Sequence, residues 1–135
     1  MTSNLDKVKS MYQAFGRGDI PAILEHMSAE VDWDYPQSAD VPWLLPRRGR
    51  DGVAAFFGAV RDGIEFTTFA PKEIFASPDG AVVVALVDVV AIAKATGKEI
   101  REEDEIHLWR FDAHGRVARF RHGVDSARHA AALRA

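Results

Sequence analysis

Apolar positions along this chain keep mostly to the helical period in its first half and to the strand period in its second. Near the start they follow the helical spacing: Leu5, Val8, Met11, Tyr12 and Phe15 fall three or four residues apart behind Ser3 or Asn4 as a cap. Gly16-Arg17-Gly18 stops that helix. Asp19 caps a short second one, with Pro21 in its first turn and Ile23, Leu24 and Met27 on its buried side. Val31-Asp32-Trp33-Asp34-Tyr35 then alternates with period two, a strand ended by Pro36. Residues 36 to 50, with Pro36, Pro42 and Pro46 around Trp43, form a loop long enough to cap a site. Asp51 caps a third helix that packs through Val53, Phe56, Phe57 and Val60 and is followed by Gly63.

From Ile64 the period is that of strands. Segments 64–76, 81–95, 99–111 and 116–125 are separated by Ser77-Pro78-Asp79-Gly80, Ala95-Thr96-Gly97-Lys98 and Asp112-Ala113-His114-Gly115, all turn chemistry. Residues 126 to 134 suit a short last helix. Helices first and hairpin-linked strands later predict an α+β fold in one domain, 1–135. Its antiparallel meander is long enough to twist and curl round the N-terminal helices into a cone with an apolar pocket.

With 135 residues, 47% hydrophobic and 27% charged, the chain has the composition of a globular domain. A formal net charge of -3 offers no basic excess for nucleic acid. The absence of cysteine removes disulfides and thiolate chemistry. The longest apolar run, Ala81 to Val87, is broken by Asp88 and is far too short for a bilayer span. No basic-then-apolar leader opens the chain, so no membrane association and a cytoplasmic location are expected. His26, His114, His122 and His129 are not spaced to converge on a metal, and no glycine-rich phosphate loop occurs, so no cofactor is expected.

Chemistry concentrates in the last hairpin. Glu105, His107, Trp109 and Phe111 share one strand face, and the next strand ends on Asp125, which can pair with His107 as an acid/base device or cap the helix starting at Ser126. Trp33 and Tyr35 share a face opposite Asp32 and Asp34, so Tyr35 can offer a hydroxyl to a substrate oxygen. Tyr12 can reach the pocket from the first helix, and Trp33, Trp43, Phe56, Trp109 and Phe120 supply aromatic lining. Asp88, alone in an apolar strand, needs a partner, and faces either the pocket or the outside. The reading makes His107, Asp125 and Tyr35 catalytic and the others, Asp88 included, substrate contacts.

Several segments occur in a familiar order: Tyr12-Gln13-Ala14-Phe15-Gly16-Arg17-Gly18-Asp19, Val31-Asp32-Trp33-Asp34-Tyr35-Pro36, Arg48-Gly49-Arg50-Asp51-Gly52-Val53, Thr96-Gly97, His107-Leu108-Trp109, Gly115-Arg116-Val117 and Val124-Asp125. The chain resembles SnoaL-like, ketosteroid-isomerase-related proteins of the nuclear transport factor-like superfamily. The resemblance implies a curved sheet round a pocket and a homodimer through the sheet's outer face. It puts Tyr35 at the place of the isomerase base, Met11 at that of the oxyanion tyrosine and His107 at that of the oxyanion aspartic acid, so steroid isomerisation is not implied. Polyketide cyclases and limonene epoxide hydrolases resemble the end of the chain better, with an acidic residue where Asp125 stands. Asp88 falls one residue out of the hydrolase register, and Leu86 occupies its arginine position. The expected function is a cofactor-independent isomerase, cyclase or hydrolase for a small apolar oxygenated molecule. The alternatives are a non-catalytic binding module of the same fold, or a dimerising accessory domain.

Overall fold

The computed structural model describes residues 2–135. Helix α1 (Asn4–Gly16) starts at Ser3, whose hydroxyl accepts the Asp6 N–H at 3.1 Å, and it buries Val8, Met11 and Ala14. Helix α2 (Ile20–Leu24) is capped by Asp19 as its sequence implies. Strand β1 (Met27–Trp33) follows. A single 3-10 turn (Pro42–Leu44) packs Trp43 and Leu44 into the core, and short β2 (Arg47–Arg48) leads into α3 (Gly49–Gly63). That helix begins two residues before the expected cap. Asp51 lies inside its first turn, where a carboxylate still complements the free N–H groups.

Strands β3 (Ile64–Ala76), β4 (Val82–Ala93), β5 (Glu99–Phe111) and β6 (Val117–Gly123) form the expected antiparallel meander, and α4 (Ser126–Ala132) ends the fold. The sheet order is β2-β1-β6-β5-β4-β3. One pairing departs from the all-antiparallel expectation: β1 runs parallel to β6. No turn connects these two strands, so nothing in the local sequence sets their relative direction. Among the described residues no helix is long and apolar enough to cross a membrane.

The alternation of β4 is regular, with Val83, Ala85, Val87, Val89 and Ala91 inside. That of β5 is not. Val87 pairs with Glu105 but Val89 with Glu102, so Glu103 and Asp104 together face Asp88 in a bulge, and Asp104 takes a left-handed φ of 58°. Glu102 and Glu105 would lie on opposite faces of a regular strand. The extra residue turns both inward.

On the outer face Asp88 accepts the Asp104 N–H at 3.1 Å. Lys72, at a register shift in β3, lies 2.9 Å from Asp88 and 2.7 Å from Asp104. Asp88 is therefore not a pocket residue. The even alternation of β4 turns it outward, where Lys72 holds its carboxyl below the usual range.

Trp43 fixes the loop against α3. Gly63 is the seat for its ring: a Cβ there would stand 2.6 Å from Trp43 Cζ3. Gly63→Ala is expected to destabilise the fold by about 1–3 kcal/mol through overpacking. Urea unfolding would register this, and an unchanged midpoint would show that the indole moves aside freely.

Candidate active site

Between the concave sheet face and the helices lies a cavity of about 80 Å³, walled chiefly by aromatic side chains. Tyr12 and Phe15 come from α1, Trp33 from β1, Trp43 from the loop and Phe56 and Phe57 from α3. Strand β3 adds Phe66 and Phe69, β5 adds Glu105, His107 and Trp109, β6 adds His122, and α4 adds His129. Of the expected contacts, Tyr12, Trp33, Trp43, Phe56, Trp109 and His107 line this space. Phe120 does not. It stacks on Trp33 with ring centroids 4.1 Å apart and backs the wall from behind.

The polar groups form chains with a fixed direction. Trp109 Nε1–H donates to the Tyr12 hydroxyl at 3.2 Å, which in turn meets His107 Nδ1 at 2.6 Å. The opposite ring nitrogen, Nε2, lies 2.6 Å from Glu105 Oε2. The carboxylate can only accept, so in the neutral ring Nε2 carries the proton and Nδ1 accepts from Tyr12. Burial pushes the His107 imidazole below its ordinary value, Glu105 only partly offsetting this. Burial also pushes Glu105 up, but the bond from His107 and the surrounding imidazoles reverse the effect and leave the carboxyl lowered. The pair is a carboxylate and an uncharged imidazole at neutral pH. Burial drives the Tyr12 phenol far above its usual range, so it remains protonated.

A second pair was missed in the sequence. His122 Nδ1 lies 2.7 Å from Asp34 Oδ2, and Asp34 Oδ1 accepts N–H groups from His122, Tyr35 and Gln37. Strand β1 ends at Trp33 and Asp34 adopts a left-handed φ of 68°, which breaks the alternation expected through Tyr35. Asp34 turns inward and Tyr35 outward. Tyr35 is 41% exposed and its hydroxyl donates to the His122 carbonyl, so it supports β6 and does not face the cavity. A signal for His122 was present: Phe120 and His122 share the buried face of β6. Nothing in the residues around Asp34 announces its reversal.

The third pair joins the C-terminal helix to the sheet. His129 Nε2 meets Glu102 Oε1 at 3.1 Å while its Nδ1 accepts Trp43 Nε1–H at 2.9 Å. Asp125 lies outside this group: its side chain caps α4 by accepting the Arg128 N–H, and its own N–H donates to Glu102. The expected His107–Asp125 pairing is replaced by His107–Glu105, because β6 ends at Gly123 and leaves Asp125 to the helix.

Ring nitrogens of His107 and His122 and a Glu105 oxygen lie within 4.8 Å of one another, the residue types and number of a metal site that the sequence reading did not assemble. Glu105 and His107 stand 2.6 Å apart, a shared-proton distance. Two ligands on one tetrahedral ion would be roughly 3.4 Å apart for bonds near 2.1 Å, so this pair would have to open.

Two outcomes follow from these bonds. Tyr12→Phe strands the Trp109 N–H and the His107 lone pair and should destabilise the protein by about 1–3 kcal/mol, measurable by urea unfolding. His107 and His129 are both lowered by burial, so the unfolded chain takes up protons first as pH falls below about 6.5. Stability should be full above that value and decline on acidification by about 1 kcal/mol per pH unit, with the raised Glu102 carboxyl opposing in part. A urea midpoint that is flat from pH 7.5 to 5.5 would contradict uncharged buried imidazoles.

The comparisons with known proteins agree with this architecture. The SnoaL-like domain matches residues 8–120. No curated protein matches the sequence. An NTF2-like protein of unknown function from Burkholderia pseudomallei superposes with a TM-score of 0.86 at 29% identity over 100% of both chains. A Pseudomonas putida protein provisionally named a polyketide cyclase gives 0.82 at 19%, covering 99% of this chain and 100% of its own. TerC, crystallised with polyporic acid, gives 0.79 at 20% over 98% of each chain. With the family match spanning most of its length, the chain belongs to the SnoaL-like domain family, on the NTF2-like cone fold.

Proposed function

We propose that this chain is an acid/base catalyst, an isomerase, cyclase or hydrolase in which side chains move a proton on a small, mostly apolar oxygenated molecule. The observation that carries the reading is the Asp34–His122 pair. With Nδ1–H given to Asp34 at 2.7 Å, the ring is held in one tautomer, and Nε2 has no hydrogen-bond partner among the described residues. That is how a general base is oriented. The proton leaves the substrate for His122 Nε2, the resulting imidazolium is balanced by Asp34, and the same nitrogen returns the proton to the rearranged product. Tyr12 is the candidate partner for a substrate oxygen: its O–H, turning from His107 Nδ1, can donate to the negative charge that develops on that oxygen and turn back once the proton returns to carbon. In this reading His107, held by Glu105, positions Tyr12, and His122 with Asp34 takes the part expected of His107, Asp125 and Tyr35.

The alternative, a binding module, is favoured by one feature: both ring nitrogens of His107 are already bonded within the protein. Deuterium incorporation into the methyl group of acetophenone in D₂O, followed by NMR, separates the two. Catalysis predicts exchange at least about tenfold above the protein-free rate, and a loss of at least about tenfold in His122→Ala and in Asp34→Asn. Equal rates in wild type and His122→Ala would leave the binding module. A homodimer across the outer sheet face, where Ile106 is 44% and Phe75 50% exposed, belongs to the same proposal. Light scattering should give twice the chain mass.

A further inference from the structure

The hydrogen-bonding groups of the cavity are unbalanced. The donors that reach it are used: Trp109 N–H on Tyr12, Tyr12 O–H on His107, His107 on Glu105, Trp43 N–H on His129, and His129 on Glu102, while the unpaired Trp33 Nε1–H is fully buried in the wall. Two acceptors are left, the His122 Nε2 lone pair and Glu105 Oε1. Neither is sealed in; the buried side-chain atoms without partners are Trp33 Nε1 and Arg47 Nε. His122 itself is only 8% exposed and lines the space. A molecule bound here meets acceptors first, so a donor on it tightens binding.

The charges have the same sign. Among the described residues no lysine or arginine lines the cavity, while Glu105 does, and Asp34 and Glu102 stand directly behind two of its histidines. Arg128, half exposed and 3.9 Å from Glu102, is the cation facing this group from α4; Arg121 is engaged with Asp32. The indoles of Trp33, Trp43 and Trp109 complete the enclosure with the faces that attract a cation. An anion would meet carboxylates, π faces and lone pairs.

Resting on the acid/base reading of the same cavity, we propose that its substrate is a compact ring-bearing molecule with a protonated amine. The ammonium donates to Glu105 Oε1, within the cluster that Glu105 forms with His107 and His122, and leaves His122 to handle the proton. Carboxylates of the same shape are rejected.

The chain's three tryptophans all line the cavity, so intrinsic fluorescence reports occupancy directly. Three probes of one shape suffice at pH 7.5: 2-phenylethylamine as the cation, 2-phenylethanol as the neutral form and 3-phenylpropanoate as the anion. The amine should bind about tenfold tighter than the alcohol, and the propanoate weaker than either. In Glu105→Gln the amine-to-alcohol ratio should fall to within about threefold of one. Asp34→Asn serves the same purpose if circular dichroism shows the first variant unfolded. Equal affinity for all three probes, tighter binding of the propanoate, no saturable quenching by any of them, or a preference that survives both variants would overturn the charge selectivity. Deuterium exchange into the uncharged ketone does not depend on an amine. Its loss would instead remove the acid/base reading, so the two failures are distinguishable.

Discussion

A carboxylate cannot be enclosed among aromatic rings without a donor at hydrogen-bond distance, and this constraint organises the interior. Asp34, Glu102 and Glu105 are all buried, and each is met by an imidazole: His122, His129 and His107 respectively. The histidines come from three different elements, so each bond is also a tertiary tie. His129 fastens the C-terminal helix to the sheet and, through Trp43, to the long loop. His122 fixes the end of β1 against β6. His107 reaches across the cavity to α1 through Tyr12. The polar centre and the packing of the cone are one system, and removing any carboxylate loosens both.

Direction matters as much as pairing. Because each carboxylate accepts, the imidazole opposite has its proton placed, and the nitrogen at the other end of the ring receives a defined role. For His107 and His129 that second nitrogen is already occupied, by Tyr12 and Trp43. For His122 it is open. Three chemically similar pairs thus divide into two whose rings are bonded at both ends and one whose ring keeps an open nitrogen, and the division comes from what lies behind each ring.

Most of the scaffold was legible from period and turn chemistry. The β5 boundaries are those read from alternation between a Thr-Gly turn and an Asp-Ala-His-Gly turn, and Ser3 and Asp19 cap their helices as expected. The inward face holding Glu105, His107, Trp109 and Phe111 was also legible, because nothing interrupts alternation there. The errors gather where one residue departs from it. Asp34 in the left-handed region reverses the fates of Asp34 and Tyr35. The bulge at Asp104 brings Glu102 in beside Glu105. Both are aspartates, which tolerate that conformation without the signal a glycine would give. Asp125 was misjudged for another reason: a strand end and a helix cap ask for the same residue type, and only the length of β6 decides between them.

The bulge in β5 has a consequence for how this strand tolerates change in length. Its two halves are out of phase by one residue, and Asp104, held by Asp88 and Lys72, is the joint. Deleting a single residue there would restore an unbroken zigzag, and everything on one side of the joint would swap inside for outside: Ile100 and Glu102 would be expelled to water, or His107 and Trp109 would be. A substitution at either end of the strand is a local matter. A change of length at the joint rewrites which half of the hairpin the protein can keep dry.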